Sequence, residues 1–134
     1  MKTEMPQIVV DSREQAPLDF GADVATESGT LSAGDYSLEG FTELVAIERK
    51  SLSDLVGCCC SSQRDRFKRE LQRLKAYRCR AVVIEASFED AAAGNYRSNL
   101  NPNSLIASVA SWQTKYSIPF VWASSREGAA RVVY

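Results

Sequence analysis

Gly34-Asp35-Tyr36-Ser37-Leu38 and, after nine intervening residues, Glu48-Arg49-Lys50-Ser51-Leu52-Ser53-Asp54 decide how this chain folds. Asp35 to Leu38 alternates polar and apolar, as does Val45-Ala46-Ile47-Glu48-Arg49-Lys50, the pattern of half-buried strands. Glu39 to Glu43 lies between them and suits a turn. Side chains alternate faces along a strand, so Asp35 and Ser37 share one face and Tyr36 and Leu38 the other. Glu48 and Lys50 likewise share a face opposite Val45 and Ile47. Joining apolar face to apolar face sets Asp35, Glu48 and Lys50 side by side. Two carboxylates hold a hard divalent cation, and an adjacent ammonium steers a water against a phosphate. The hairpin therefore predicts metal-dependent hydrolysis of a phosphodiester. Arg49 is the exception, because a regular strand aims it away from Glu48 and Lys50.

Composition narrows the chemistry further. The 134 residues, 45% hydrophobic and 25% charged, are expected to form one domain with a core large enough to need no disulfides. There is no histidine, which removes Ser-His-Asp and Cys-His nucleophiles, H-E-x-x-H zinc sites and histidine general bases. Cys58, Cys59, Cys60 and Cys79 lack the spacing of a metal knuckle and read as reduced, partly buried thiols. No apolar run approaches the ~18 residues of a membrane span, and Met1 to Pro6 lacks the core of a secretory signal. An intracellular protein without a membrane partner is expected. Net charge is −1 but unevenly spread: residues 1–63 carry 4 Lys and Arg against 11 Asp and Glu, while residues 64–80 carry 8 against 2. An acidic cup beside a basic strip suits a phosphate-backbone substrate.

Along the chain, Gln7 to Asp11 reads as a short buried strand ending on a carboxylate, and Ser12 to Ala33 as irregular loop. Ser51 and Asp54 make a capping-box pattern for a short helix that falters near Gly57. Ser62-Gln63-Arg64-Asp65 repeats that signal and opens a helix to about Tyr77, with Phe67, Leu71 and Leu74 as its apolar stripe. Arg80 to Glu85 reads as a buried strand. Asn101-Pro102 opens a helix through Tyr116, burying Leu105, Ile106, Val109 and Trp112. Pro119 to Ala123 is a last strand, and Ser124 with Glu127 caps a last helix. Trp112, Tyr116, Phe120 and Trp122 read mainly as core. This order predicts a three-layer α/β domain with a mixed sheet. A final helix ending on Val132-Val133-Tyr134 without a cap implies a domain, residues 1–134, excised from a longer protein.

Val9 to Glu14, Gly34-Asp35-Tyr36 and Ile47 to Asp54 together closely resemble the XPF-type structure-specific endonucleases of the PD-(D/E)-x-K nuclease superfamily. Their signature is G-D-x(n)-E-R-K-x(3)-D, complete here with Asp54 at its end. Arg66-Phe67-Lys68-Arg69, then Leu74-Lys75, resembles the helix that follows it, and the likeness covers essentially the whole chain. It implies a restriction-endonuclease-like fold, a central mixed β-sheet flanked by helices. It also implies that Asp35 and Glu48 ligate Mg²⁺ or Mn²⁺, that Lys50 orients the attacking water, and that Arg49 belongs to the catalytic set. Asp11 and Glu14 would be further acidic positions near the metal, as outer ligands or a second site, or Glu14 a solvated loop carboxylate. Arg13 would clamp a phosphate or be a surface charge, and Arg66, Arg69 and Arg73 would track a DNA backbone or belong to a solvated helix face. Asp54 would complete the motif, or only cap its helix.

The implied activity is cleavage of DNA near a flap, fork or junction, in repair or recombination. Homo- or heterodimerisation through the nuclease domain is implied as well, in the nucleus of a eukaryote or the cytoplasm or nucleoid otherwise. Two alternatives stand beside it: a catalytically silent DNA-binding scaffold subunit, and a resolvase- or restriction-like nuclease. The helix-hairpin-helix modules that usually accompany this domain have no counterpart in the sequence, so branch preference rests on the resemblance alone.

Overall fold

Six strands form one sheet in the order β2-β1-β3-β4-β5-β6, in a computed structural model that describes residues 6–134. The strands are β1 (Ile8–Asp11), β2 (Thr26–Gly29), β3 (Tyr36–Leu38), β4 (Val45–Lys50), β5 (Cys79–Ile84) and β6 (Phe120–Trp122). The helices are α1 (Leu52–Cys58), α2 (Ser61–Leu74), α3 (Phe88–Ala92), α4 (Pro102–Tyr116) and α5 (Arg126–Val133). β3 runs antiparallel to both of its neighbours, β1 and β4, whereas β1–β2, β4–β5 and β5–β6 are parallel. The expected mixed sheet between helices is therefore the fold.

Strand parity builds the three layers. Ala46, Val82 and Ile84 face the helices α1 to α4, where Leu55, Phe67, Leu71, Leu105 and Trp112 close a core. Tyr36, Ile8 and Val83 face the other way, against Leu18 and the Ala129 and Ala130 of α5. β5 is buried on both sides, which explains its uninterrupted apolar run. Trp112, Tyr116 and Phe120 are buried as expected, while Ile106 is only partly so.

Local chemistry sets most helix ends. Ser51 accepts the Asp54 N–H at 3.1 Å, and Asn101 accepts that of Asn103 at 2.8 Å before Pro102. Four expectations need correction. β2 lies within the stretch read as loop; it is an edge strand whose Thr26, Glu27 and Ser28 are exposed, so main-chain pairing to β1 forms it without an apolar signal. The short helix α3, capped by Ser87, was not anticipated. α2 begins at Ser61 behind Cys60, with no side-chain cap, and ends at Leu74, so Ser62 lies inside its first turn. α5 is capped by Ser125, not Ser124: the Gly128 N–H donates to its Oγ at 2.9 Å. All four thiols are free, with Cys58 buried, Cys59 partly so, and Cys60 and Cys79 exposed.

Candidate active site

β1, β4 and the residue that enters β3 bring Asp11, Glu48 and Asp35 into one row. Val9 pairs with Ser37 and Val10 with Tyr36, so the antiparallel register continues to Asp11 beside Asp35, whose carbonyl accepts the Asp11 N–H at 2.8 Å. Tyr36 pairs with Ile47, and the next step sets Asp35 beside Glu48. Asp35 donates its N–H to Ile47 O at 2.8 Å. That approach needs Gly34, whose φ is +75° and whose missing Cβ would lie 3.0 Å from the Ile47 oxygen.

The side chains follow strand parity. Asp35 Oδ2 accepts the Arg49 backbone N–H at 2.8 Å. Lys50 Nζ lies 3.7 Å from Glu48 Oε1, 3.9 Å from Glu70 Oε2, and 5.1 Å above the Phe67 ring. Burial, only partly offset by the Arg49 N–H, pushes the Asp35 carboxyl up to about 6. Burial and then the Asp35 charge push Glu48 up to about 8. Burial opposes the charge on Lys50, but its carboxylate neighbours outweigh it and raise its pKa.

This pair fits a hard divalent cation. Its donors are oxygens, both are largely buried, and the Asp35 charge raises Glu48 by more than the Lys50 ammonium lowers it. Among the described residues no three acidic or thiol side chains converge to enclose an ion. Asp35 and Glu48 would thus hold an ion that keeps several waters, as Mg²⁺ commonly does.

Asp11 lines the same cleft, yet its oxygens are engaged by Leu31 N–H at 3.0 Å and Arg13 Nε at 2.9 Å. Burial works against its charge, but those hydrogen bonds outweigh it and hold its carboxyl below the ordinary value. Glu14 is not brought to this group, contrary to expectation. It lies with Arg49 on the other side of the sheet and accepts from that guanidinium at 2.6 and 2.9 Å. The Arg49 side chain is likewise aimed away from Glu48, as alternation requires. Only its backbone N–H reaches Asp35.

The cleft, about 500 Å³, opens between the carboxylates and α2, with Arg13, Arg66, Glu70 and Arg73 on its walls. The Arg13 and Arg66 side chains are 69% and 72% exposed, so their charges face incoming solute. Arg69 is exposed on the flank of α2, outside the lining. Not all of the basic strip is available: Arg64 packs over Trp112 and bonds Ser108, and Arg80 ties the carbonyls of Tyr77 and Ser117. Beyond Glu70, a second depression of about 510 Å³ is lined by Lys50, Asp54 and Phe67, so Asp54 both follows its cap and borders the site. Sequence reasoning missed Glu70. Its one signal was its place four residues after Arg66 on the flank of the apolar stripe, a pairing now seen at 3.8 Å.

The family profile of the ERCC4 domain matches residues 10–134. The fold is similar to that of "XPF from Aeropyrum pernix", with a TM-score of 0.73 and 25% identity over 96% of this chain and 58% of that one. It is also similar to "XPF from Aeropyrum pernix, complex with DNA", with a TM-score of 0.74 and 24% identity over 96% of this chain and 61% of that one. The chain thus spans about three fifths of the length of those proteins. No curated protein sequence matches it significantly.

Proposed function

Because the chain belongs to the ERCC4 domain family, we propose that it acts as a metal-dependent DNA endonuclease, cutting a phosphodiester bond near a flap, fork or junction in repair or recombination. One observation carries this: Asp35 and Glu48 line a cleft whose walls bear Arg13, Arg66 and Arg73, and Lys50 lies 3.7 Å from Glu48 at the edge of the neighbouring depression. The similarity to an XPF solved in complex with DNA supports DNA as the partner.

Mg²⁺ or Mn²⁺, held by Asp35 and Glu48, would act as a Lewis acid on the phosphate and lower the pKa of a bound water. Lys50, kept charged by Glu48 and Glu70, orients the attacking water and neutralises charge developing on the phosphate. Arg13, held against Asp11, clamps an adjacent phosphate. Arg66 and Arg73, with Arg69 on the flank, position the backbone without reading sequence. Homo- or heterodimerisation through this domain and an intracellular site of action belong to the same proposal.

The test is a cleavage panel of flap, fork, junction and linear duplex DNA, with Mg²⁺ and with chelator. Cleavage of the branched substrates in Mg²⁺ alone, lost in Asp35→Ala, Glu48→Ala and Lys50→Ala, is the expected result. DNA binding without cleavage in any metal would show a silent scaffold. Equal cutting of linear duplex would point to a restriction-like enzyme.

A further inference from the structure

Behind the carboxylate pair, on the face that bears the Arg49 side chain, polar contacts close a ring. Arg49 donates to Glu14 at 2.6 and 2.9 Å and, through Nη1, to Glu85 Oε1 at 3.0 Å. Arg126, the first residue of α5, donates to that same Glu85 oxygen at 3.3 Å. Its other nitrogen donates to the carbonyls of Ala16 and Pro17 at 2.9 and 2.5 Å. Ala16 in turn gives its N–H to Glu14 at 3.3 Å. The ring runs through Glu14, Arg49, Glu85, Arg126 and Ala16 and returns to Glu14. Two carboxylates and two guanidiniums balance in charge, and the Glu14, Arg49 and Glu85 side chains are 4%, 11% and 11% exposed.

Two main-chain contacts lead from this ring to the site. The Arg49 N–H holds Asp35 Oδ2 at 2.8 Å, and the Glu85 N–H holds the Lys50 carbonyl at 2.9 Å. Both fall at the end of β4 that carries Glu48 and Lys50. Arg126 also anchors the loop that presents Arg13 and Gln15 to the two depressions.

We propose that Glu85 and Arg126, which touch none of the reacting groups, are positioning residues of the cleavage site. Glu85 fixes the Arg49 guanidinium and the end of β4, so that the Arg49 N–H stays aimed at Asp35. Arg126 fixes Glu85 and ties it to the loop after β1. A planar guanidinium fork suits both tasks, since it reaches a carboxylate and carbonyls together. This inference rests on the nuclease function proposed above.

The experiment compares Glu85→Gln, Arg126→Gln, Arg126→Lys and the double Gln variant with the wild-type protein. Steady-state cleavage of a flap substrate in Mg²⁺ is measured beside amide spectra and hydrogen exchange of the DNA-free protein. Loss of either partner lowers kcat about 10- to 100-fold, the range for residues that orient a metal site. KM stays within about twofold in Glu85→Gln, because Glu85 holds no residue that contacts the substrate. The double variant falls no further than the worse single one, as members of one network do. The Arg49 amide shifts and exchanges faster in each variant. Arg126→Lys, which keeps a charge near Glu85 without the fork, loses less and carries the test if Arg126→Gln does not fold. Unchanged kcat in folded variants, a change confined to KM, or an unmoved Arg49 amide overturns the proposal. If the wild-type protein does not cleave, the nuclease function fails, while the Arg49 amide still decides whether the ring governs Asp35.

Discussion

The Asp35 carboxylate is held at 2.8 Å by the backbone N–H of Arg49, the residue between Glu48 and Lys50. One hydrogen bond thus couples β3 to the segment that supplies the other acidic and basic groups. It also gives Arg49 two directions of influence: its amide faces the site, while its side chain is locked to Glu14 and Glu85 on the other face.

The acidic pair should make the metal-free protein less stable as pH rises. Folded values of about 6 for Asp35 and about 8 for Glu48 lie above the unfolded values of about 4. Folding therefore favours their protonated forms, a contribution fully present below about pH 4 and lost as pH climbs through 6 to 8. The expected outcome is a Tm that declines from pH 5 to pH 8 in chelator, with the decline reduced in Glu48→Gln. Mg²⁺ at pH 8 should raise the wild-type Tm and leave that of the Asp35→Asn/Glu48→Gln double variant unchanged. A Glu48→Gln protein that melts below wild type at pH 8 in chelator would contradict this account.

Lys50 places its ammonium against Glu48, resting on Phe67 and shared with Glu70. Lys50→Met should keep the apolar packing on Phe67 and retain DNA binding, while cleavage falls by at least about 100-fold, the scale for loss of a transition-state charge partner. Filter binding in chelator beside cleavage in Mg²⁺ separates the two. A variant that loses binding and cleavage in equal measure would show Lys50 to be a docking residue only.

The arginines of α2 should divide by what they touch. Arg66→Gln and Arg73→Gln, at the cleft wall, should each weaken DNA binding and lower the slope of log K against log salt by about 1. Arg64→Gln should leave that slope alone and lower stability by about 1 kcal/mol instead, losing its contacts to Trp112 and Ser108. Salt titrations and thermal melts on the same three variants decide it. An Arg64→Gln protein with the largest slope change would reverse the assignment.

Gly34→Ala should damage the site through the backbone. Its φ of +75° and the 3.0 Å from an added Cβ to Ile47 O strain the step from loop into β3. A loss of at least about 1–2 kcal/mol is expected from the left-handed conformation alone. Asp35 moves with it, so cleavage should fall even well below the new Tm. Chemical denaturation and a low-temperature assay are the measurements, and wild-type stability would refute the close approach.

How much of this was legible in the sequence follows from the range of the forces involved. Alternation along β3 and β4 needs only neighbouring residues, so Asp35, Glu48 and Lys50 could be set on one face, and Arg49 on the other, before any coordinates. The stripe of Phe67, Leu71 and Leu74 was readable for the same reason, and each is at most 1% exposed. β2 was not readable, because an edge strand formed by main-chain pairing leaves no apolar pattern in Thr26 to Gly29. The caps at Ser125 and Cys60 shifted by a residue or two, since adjacent serines compete and the turn after α1 settles where α2 starts.

From the sequence alone came the fold class, the strand parity of the hairpin, and a histidine-free chemistry of carboxylates and an ammonium. Only the tertiary structure decided which distant charges meet. It turned Glu14 away from the Asp35 and Glu48 pair to Arg49, gave Asp11 to Arg13 and Leu31, and set Glu70 against Lys50. It also closed the ring through Glu85 and Arg126, more than a hundred residues from the Ala16 it grips. The physical reason is that parity is local geometry, whereas an ion pair depends on where the sheet register and helix packing bring two remote side chains.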